Sequence, residues 1–205
     1  MNKKQSSLPA QSGGGEHASE KKKLPKPHIL PLKKSTDKNQ NKTERFGSTI
    51  GVGLIRAIQK NDRELFLCLS EAFYRSEGVL HEIPAVYHEQ AFNELMRSND
   101  YAEAYIIECD GKSAGYLLAF KCYSREAGGM MLWLDELYIL PEFQSRGLGR
   151  EALAYMETKA RKEGYARIRL EVERNNVRAR SLYERLGFVS LEYEQMIKDL
   201  NGVQN

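Results

Sequence analysis

The stretch from Met130 to Arg174 constrains the fold most. Met130–Leu140 (MMLWLDELYIL) is rich in large apolar residues and ends at Pro141, so it reads as a long strand. Glu142–Arg150 follows, with two glycines and two arginines. Leu148, Ala152, Met156 and Ala160 then recur every fourth residue, the single apolar stripe of a helix from about Gly147 to Glu163. Gly164 stops that helix. In Ala166–Arg174, Ile168, Leu170 and Val172 share one face while Arg167, Arg169 and Glu171 share the other, the alternation of a strand. A strand, a helix and a strand in this order form a crossover between parallel neighbours, which commits the chain to an α/β sheet.

The remaining elements fit around that unit. Thr49–Gln59 (TIGVGLIRAIQ) reads as a first strand. Asn61-Asp62 offers a cap for a helix carrying Leu65, Leu69 and Phe73, and a second helix is predicted from Ala85 to Arg97, after Pro84. Ala102–Glu108, the turn at Cys109-Asp110-Gly111-Lys112 and Ser113–Tyr123 make a hairpin. Asn175-Asn176 caps a last helix bearing Ala179, Leu182, Tyr183 and Leu186, closed by Gly187, and Phe188–Leu200 reads as one or two final strands. The order predicts a mixed, mostly antiparallel sheet flanked by helices on both faces.

The loop at the helix entrance has a definite chemistry. The first turn of a helix presents unpaired N–H groups and the positive end of its dipole. Gly147 and Gly149 let backbone approach phosphate oxygens, and Arg146 and Arg150 add cations, so the entrance suits a pyrophosphate. A tight turn would need the same glycines. No Gly-Lys-Ser/Thr follows, so this is not a P-loop, and the third glycine of the dinucleotide fingerprint is missing.

Gln144-x-x-Gly147-x-Gly149 resembles the Gln/Arg-x-x-Gly-x-Gly/Ala signature of the GNAT superfamily of N-acetyltransferases. Leu137-x-Ile139-x-Pro141 stands where that family has its lead-in strand, and Asn176-x-x-Ala179-x-x-Leu182-Tyr183-x-x-x-Gly187-Phe188 is similar to its second signature. The likeness is close over about Met130–Leu200 and reaches back to Thr49 through the order of elements. It implies a GNAT-like fold over residues 47–205 and acetyl-CoA as acyl-donor cosubstrate, with no metal. It assigns the pyrophosphate to Gln144, Ser145, Arg146, Gly147, Leu148, Gly149 and Arg150. The backbone of Leu137, Tyr138 and Ile139 takes the pantetheine arm as an added strand. Asn176 is a further cofactor contact as well as a helix cap.

Acyl transfer to an amine needs a base, because a free alkylamine has a pKa of about 10.4. It also needs an acid for the leaving thiolate. The resemblance places Tyr183 as that acid, with Tyr155 and Tyr193 as substitutes. Asp135-Glu136 interrupts an apolar strand, and burying carboxylates is costly unless they are paired or used. The family carries an acidic pair here in its polyamine acetyltransferases, often at a bulge. Glu136 is favoured over Asp135 as base, against a salt bridge to Arg167 or Arg169. Glu171 is a weaker rival whose face suggests a surface ion pair. His81, Glu82 and Glu126 read as surface residues that would otherwise face the acceptor, and Cys122 as core.

Composition bounds the partners. Residues 1–45 hold eleven Lys and Arg against four acids, net +7, and the remainder holds 20 against 24, net −4. The basic segment has no aromatic residue before Phe46, so residues 1–46 are expected to form a disordered tail. Its dispersed lysines fit a solvated linker better than a nucleic-acid tether. It has no secretory pattern, and no run of about 18 apolar residues spans a membrane. Cys68, Cys109 and Cys122 lack metal spacing and point to a reducing, cytoplasmic setting. The acidic body suits a small cationic amine as acceptor. A protein N-terminus or lysine is the alternative, and an acyl-CoA-binding sensor without catalysis is the reading of a different class. A homodimer stays open.

Overall fold

The computed structural model describes residues 44–45, 53–76, 79 and 81–200. Most of the expected tail and the start of the expected first strand, at 49–52, therefore lie outside the described residues. Glu44–Arg45 (β1) pair antiparallel with Leu54 and Ile55. The first full strand is Gly53–Ala57 (β2). A short 3-10 turn leads into the helix Arg63–Tyr74 (α1), and Ala85–Arg97 (α2) has the bounds read from the sequence. Ala102–Cys109 (β3), Lys112–Ser124 (β4) and Gly129–Ile139 (β5) follow. The crossover is Leu148–Lys162 (α3) and Arg167–Leu170 (β6), and Val177–Arg185 (α4) is the last helix.

The six strands lie in sequence order in one sheet. Every pairing is antiparallel except β5 with β6, which is parallel as a crossover demands. Helices cover both faces. Tyr116 on β4 meets Phe66 and Phe73 of α1 at ring separations of 5.6 and 6.2 Å. Leu117 points the other way, and its cross-strand partner Tyr105 meets Tyr155 of α3 at 5.3 Å.

Two features of β5 shape the middle of the sheet. Leu118 pairs with Glu136 while the next residue, Ala119, pairs with Leu134, so Asp135 is the extra residue of a β-bulge. β5 also pairs with β6 from Met131 opposite Arg167 only as far as Leu134 opposite Leu170. From Asp135 to Ile139 the strand keeps β4 on one edge and, among the described residues, has no strand on the other. Gly115 is required opposite this segment, because a Cβ there would lie 2.0 Å from the Tyr138 carbonyl oxygen.

Two expectations are corrected. The last strand ends at Leu170, short of Arg174, because the chain turns away from β5 there. Phe188–Leu200 contains no strand: Val189, Tyr193, Met196, Ile197 and Leu200 lie exposed, and no sheet edge meets them. No helix among the described residues is long and apolar enough to cross a membrane.

Candidate active site

The parting of β5 from β6 opens a groove of about 1720 Å³, bounded by α1, β5, the α3 entrance and α4. At one end lies the loop after Pro141. Ser145 (φ 63°) and Gly147 (φ 86°) are both left-handed, and Gly147 caps α3. A left-handed residue without a glycine's freedom costs roughly 1–2 kcal/mol, so Ser145 is held there by its surroundings. The Gln144 amide donates to the Ile139 carbonyl at 3.0 Å. Arg178 of α4 donates to the Gln144 side chain at 3.0 Å and to the Ser145 hydroxyl at 3.1 Å. The loop thus turns its amides and the first turn of α3 toward the groove, beside the open edge of β5.

The expected phosphate residues separate into two groups. Gln144, Ser145, Gly147, Leu148, Gly149 and Arg150 line the groove. Arg146 instead stacks over Phe143 at 5.3 Å and lies 3.5 Å from Asp110. Arg178 carries no mark in the sequence, where its local pattern is that of a solvated helix arginine. Asn176 lines the groove and caps α4, accepting from the Ala179 N–H at 3.1 Å, so both of its expected roles have a geometry.

Halfway along the groove the acids come together. Glu136 is 7% exposed and points to the α1 face. Tyr74 donates to one of its oxygens at 2.8 Å and Tyr116 to the other at 2.5 Å. Burial raises the Glu136 pKa, the two phenols oppose that, and the charge of Asp135 adds to it. Burial and the Glu136 charge push both phenols up, so they remain donors. Asp135, the bulge residue, opens to the groove, and its pKa is raised by the surrounding walls and by Glu171.

Arg167 and Arg169 have other partners than this pair. Arg167 bonds Glu126 at 2.7 Å, which gives that hairpin acid its surface role, and Arg169 lies over Trp133 at 4.6 Å. Glu171 differs from expectation: it lines the groove and accepts from Gln195 rather than pairing with an arginine.

Tyr183 faces the groove from α4, packs against Phe188 at 5.8 Å, and has its pKa raised by burial. Of the substitutes, Tyr155 packs on Tyr105 across the sheet and Tyr193 is exposed; neither lines the groove. His81 lines it, while Glu82 borders a smaller neighbouring recess. Cys122 is partly buried, and the three cysteines are free.

An open strand edge runs into an amide-rich helix entrance, beside a desolvated carboxylate and a buried phenol, an arrangement with room and donors for a long anionic ligand. The chain belongs to the acetyltransferase (GNAT) family, whose model matches residues 63–188. It is 26% identical over 99 residues to the uncharacterized N-acetyltransferase YhfO of Bacillus subtilis, a match spanning 48% of this chain and 66% of YhfO. It is 29% identical over 116 residues to the [ribosomal protein bS18]-alanine N-acetyltransferase of Escherichia coli K12, covering 52% of this chain and 74% of that one. Its fold matches aminoglycoside N-acetyltransferase AAC(6')-Iy, solved in complex with CoA, with a TM-score of 0.61, 18% identity, and coverage of 73% and 96%.

Proposed function

We propose that this chain transfers an acetyl group from acetyl-CoA to the primary amine of a small cationic molecule, with residues 47–205 as the catalytic unit. The observation that carries the reading is the carboxylate of Glu136, desolvated and fixed by two phenols at the point where β5 loses its neighbour. Gln144, Ser145, Gly147, Leu148, Gly149 and Arg150 hold the diphosphate through amides, the helix dipole and one arginine. Arg146 balances charge from the flank. The free edge of Leu137, Tyr138 and Ile139 pairs with the amide-bearing arm of the donor.

Glu136 takes the proton from the attacking amine. Its raised pKa brings it closer to the amine's own, which eases that transfer. Tyr183, kept protonated by burial, returns a proton to the departing thiolate, whose conjugate acid has a pKa of roughly 8.5. Asp135 and Glu171 give the acceptor end a negative lining that favours a cation.

A panel of spermidine, kanamycin and a peptide with N-terminal alanine, assayed by thiol release from acetyl-CoA, tests the reading. Release with a small polyamine or amino sugar is expected. Release with the peptide alone would move the acceptor to a protein N-terminus, and no release above hydrolysis would favour a binding protein. The two ends of the groove should also separate. Gly147→Asp puts a side chain at φ 86° and a carboxylate where the diphosphate lies, so coenzyme A affinity should fall at least about tenfold. Tyr183→Phe should slow turnover with affinity kept. Calorimetric titration of coenzyme A into both variants checks this, and equal losses of affinity would refute the division.

A further inference from the structure

Arg178 is an exposed residue in the first turn of α4, yet its side chain is fixed at both ends of its fork. One terminal nitrogen donates to the Gln144 side-chain oxygen at 3.0 Å, and the other to the Ser145 hydroxyl at 3.1 Å. Gln144 donates in turn from its amide nitrogen to the Ile139 carbonyl at 3.0 Å. An arginine has no acceptor, so it fixes which end of the Gln144 amide faces it and leaves the donor end for β5. These bonds join α4, the loop after Pro141 and the open edge of β5. One of the residues they hold needs holding. Ser145 has φ 63°, a left-handed setting that a residue with a Cβ takes only against a steric cost. The helix itself has a separate, apolar footing: Leu182, Tyr183 and Leu186 are half-buried against the core. Leu182 also lies beside the α3 entrance, where a Cβ at Gly149 would be 3.8 Å from it. Seating α4 is therefore the task of these apolar residues, and the fork of Arg178 acts on the shape of the loop.

We propose that Arg178 is a positioning residue for the donor, a role that rests on the reading of this loop as the diphosphate site. Its forked bonds hold Gln144 and Ser145 in the shape that turns the loop amides toward the phosphates. A loop already shaped before the donor arrives spares binding the entropy of ordering it. The role requires the fork as well as the charge. An ammonium is a compact point charge and cannot bond both partners in this planar geometry.

Calorimetric titration of coenzyme A into the full chain tests this. Arg178→Ala should weaken binding about tenfold, the effect of losing two charge-assisted hydrogen bonds at an exposed position. Arg178→Lys should lose nearly as much. A lysine variant with wild-type affinity would show that charge alone matters, and the proposal would be overturned. Ser145→Gly supplies the second arm. Glycine takes the left-handed setting unaided, so in that background Arg178→Ala should weaken binding no more than about threefold, the share left to Gln144. Equal losses in the two backgrounds would mean that Arg178 does not act through Ser145, and would also overturn it. Kinetics with the active amine of the panel adds a readout that a general packing defect would not give. Arg178→Ala should raise KM for acetyl-CoA and leave kcat at saturating donor within about twofold, since Tyr183 keeps its apolar footing. A kcat that falls as far as the affinity does would count against the positioning role. If the wild-type chain itself does not bind coenzyme A, the diphosphate reading fails. If the wild type binds and Arg178→Ala binds equally well, the positioning role alone fails.

Discussion

Replacing Arg56 by leucine should destabilise the fold by about 3–5 kcal/mol, seen as a lower urea midpoint with an unchanged slope. Arg56 lies on β2 with its guanidinium between two buried acids. It meets both oxygens of Asp62 at 2.7 and 2.9 Å and Glu108 at 2.7 Å. Asp62 is 4% exposed and Glu108 9%. Asp62 also accepts from the Gln59 N–H at 2.7 Å, so it ties the start of α1 to the sheet rather than capping the helix. Burial by itself would lower the Arg56 pKa; the bonds to Asp62 and Glu108 outweigh it and hold the group above its ordinary value. The pair of acids needs this one cation, and leucine leaves both without it. Lysine cannot fork to two partners, so Arg56→Lys should recover only part of the loss. Adding Asp62→Asn and Glu108→Gln to Arg56→Leu should restore most of it, since removing a whole ion cluster is far cheaper than removing one member. A leucine variant as stable as wild type would show that the cluster contributes nothing.

Much of the scaffold was legible because its elements are amphipathic. The stripe Leu148, Ala152, Met156 and Ala160 is buried along α3, and α2 has its predicted bounds. The glycine-rich entrance was legible because a left-handed residue at position 147 needs a glycine. The groove's other wall was not. Tyr74 closes the apolar face of α1 and looks like a core residue, yet it bonds an acid 62 positions away. Tyr116 carries no local mark either, because its bond to Glu136 on the neighbouring strand exists only in three dimensions. The bulge at Asp135 decides which acid turns inward, and alternation in the sequence cannot place a bulge. The C-terminal stretch shows the reverse error. Val189, Leu191 and Tyr193 alternate like a strand, but a strand also needs an edge to pair with, and pattern does not report that.

Glu136→Gln should abolish most of the turnover, by about 10²–10⁴-fold, while leaving the protein at least as stable at neutral pH. The two halves of this expectation have one cause. Burial raises the folded-state pKa of Glu136 above its unfolded value. Between those two values the folded chain binds more protons than the unfolded one, so stability falls as pH rises through that window and stays at the lower level above it. The charged carboxylate therefore costs stability at the pH where it works, and Asp135, raised by burial and Glu171, adds a cost of the same sign. Glutamine is nearly the same size, can accept from one phenol through its oxygen and donate through its NH2 to the oxygen of the other, and has no charge to desolvate. It cannot accept a proton from an amine. Urea unfolding as a function of pH should show a shallower slope through the weakly acidic range for the variant than for wild type. In the wild type, kcat/KM should fall on acidification along a limb lying above the ordinary glutamate range, and any residual activity of the variant should lack that limb. A variant that loses stability in step with activity would mark Glu136 as a structural acid. A variant that keeps its activity would move the base to Asp135, the other raised carboxylate of the groove.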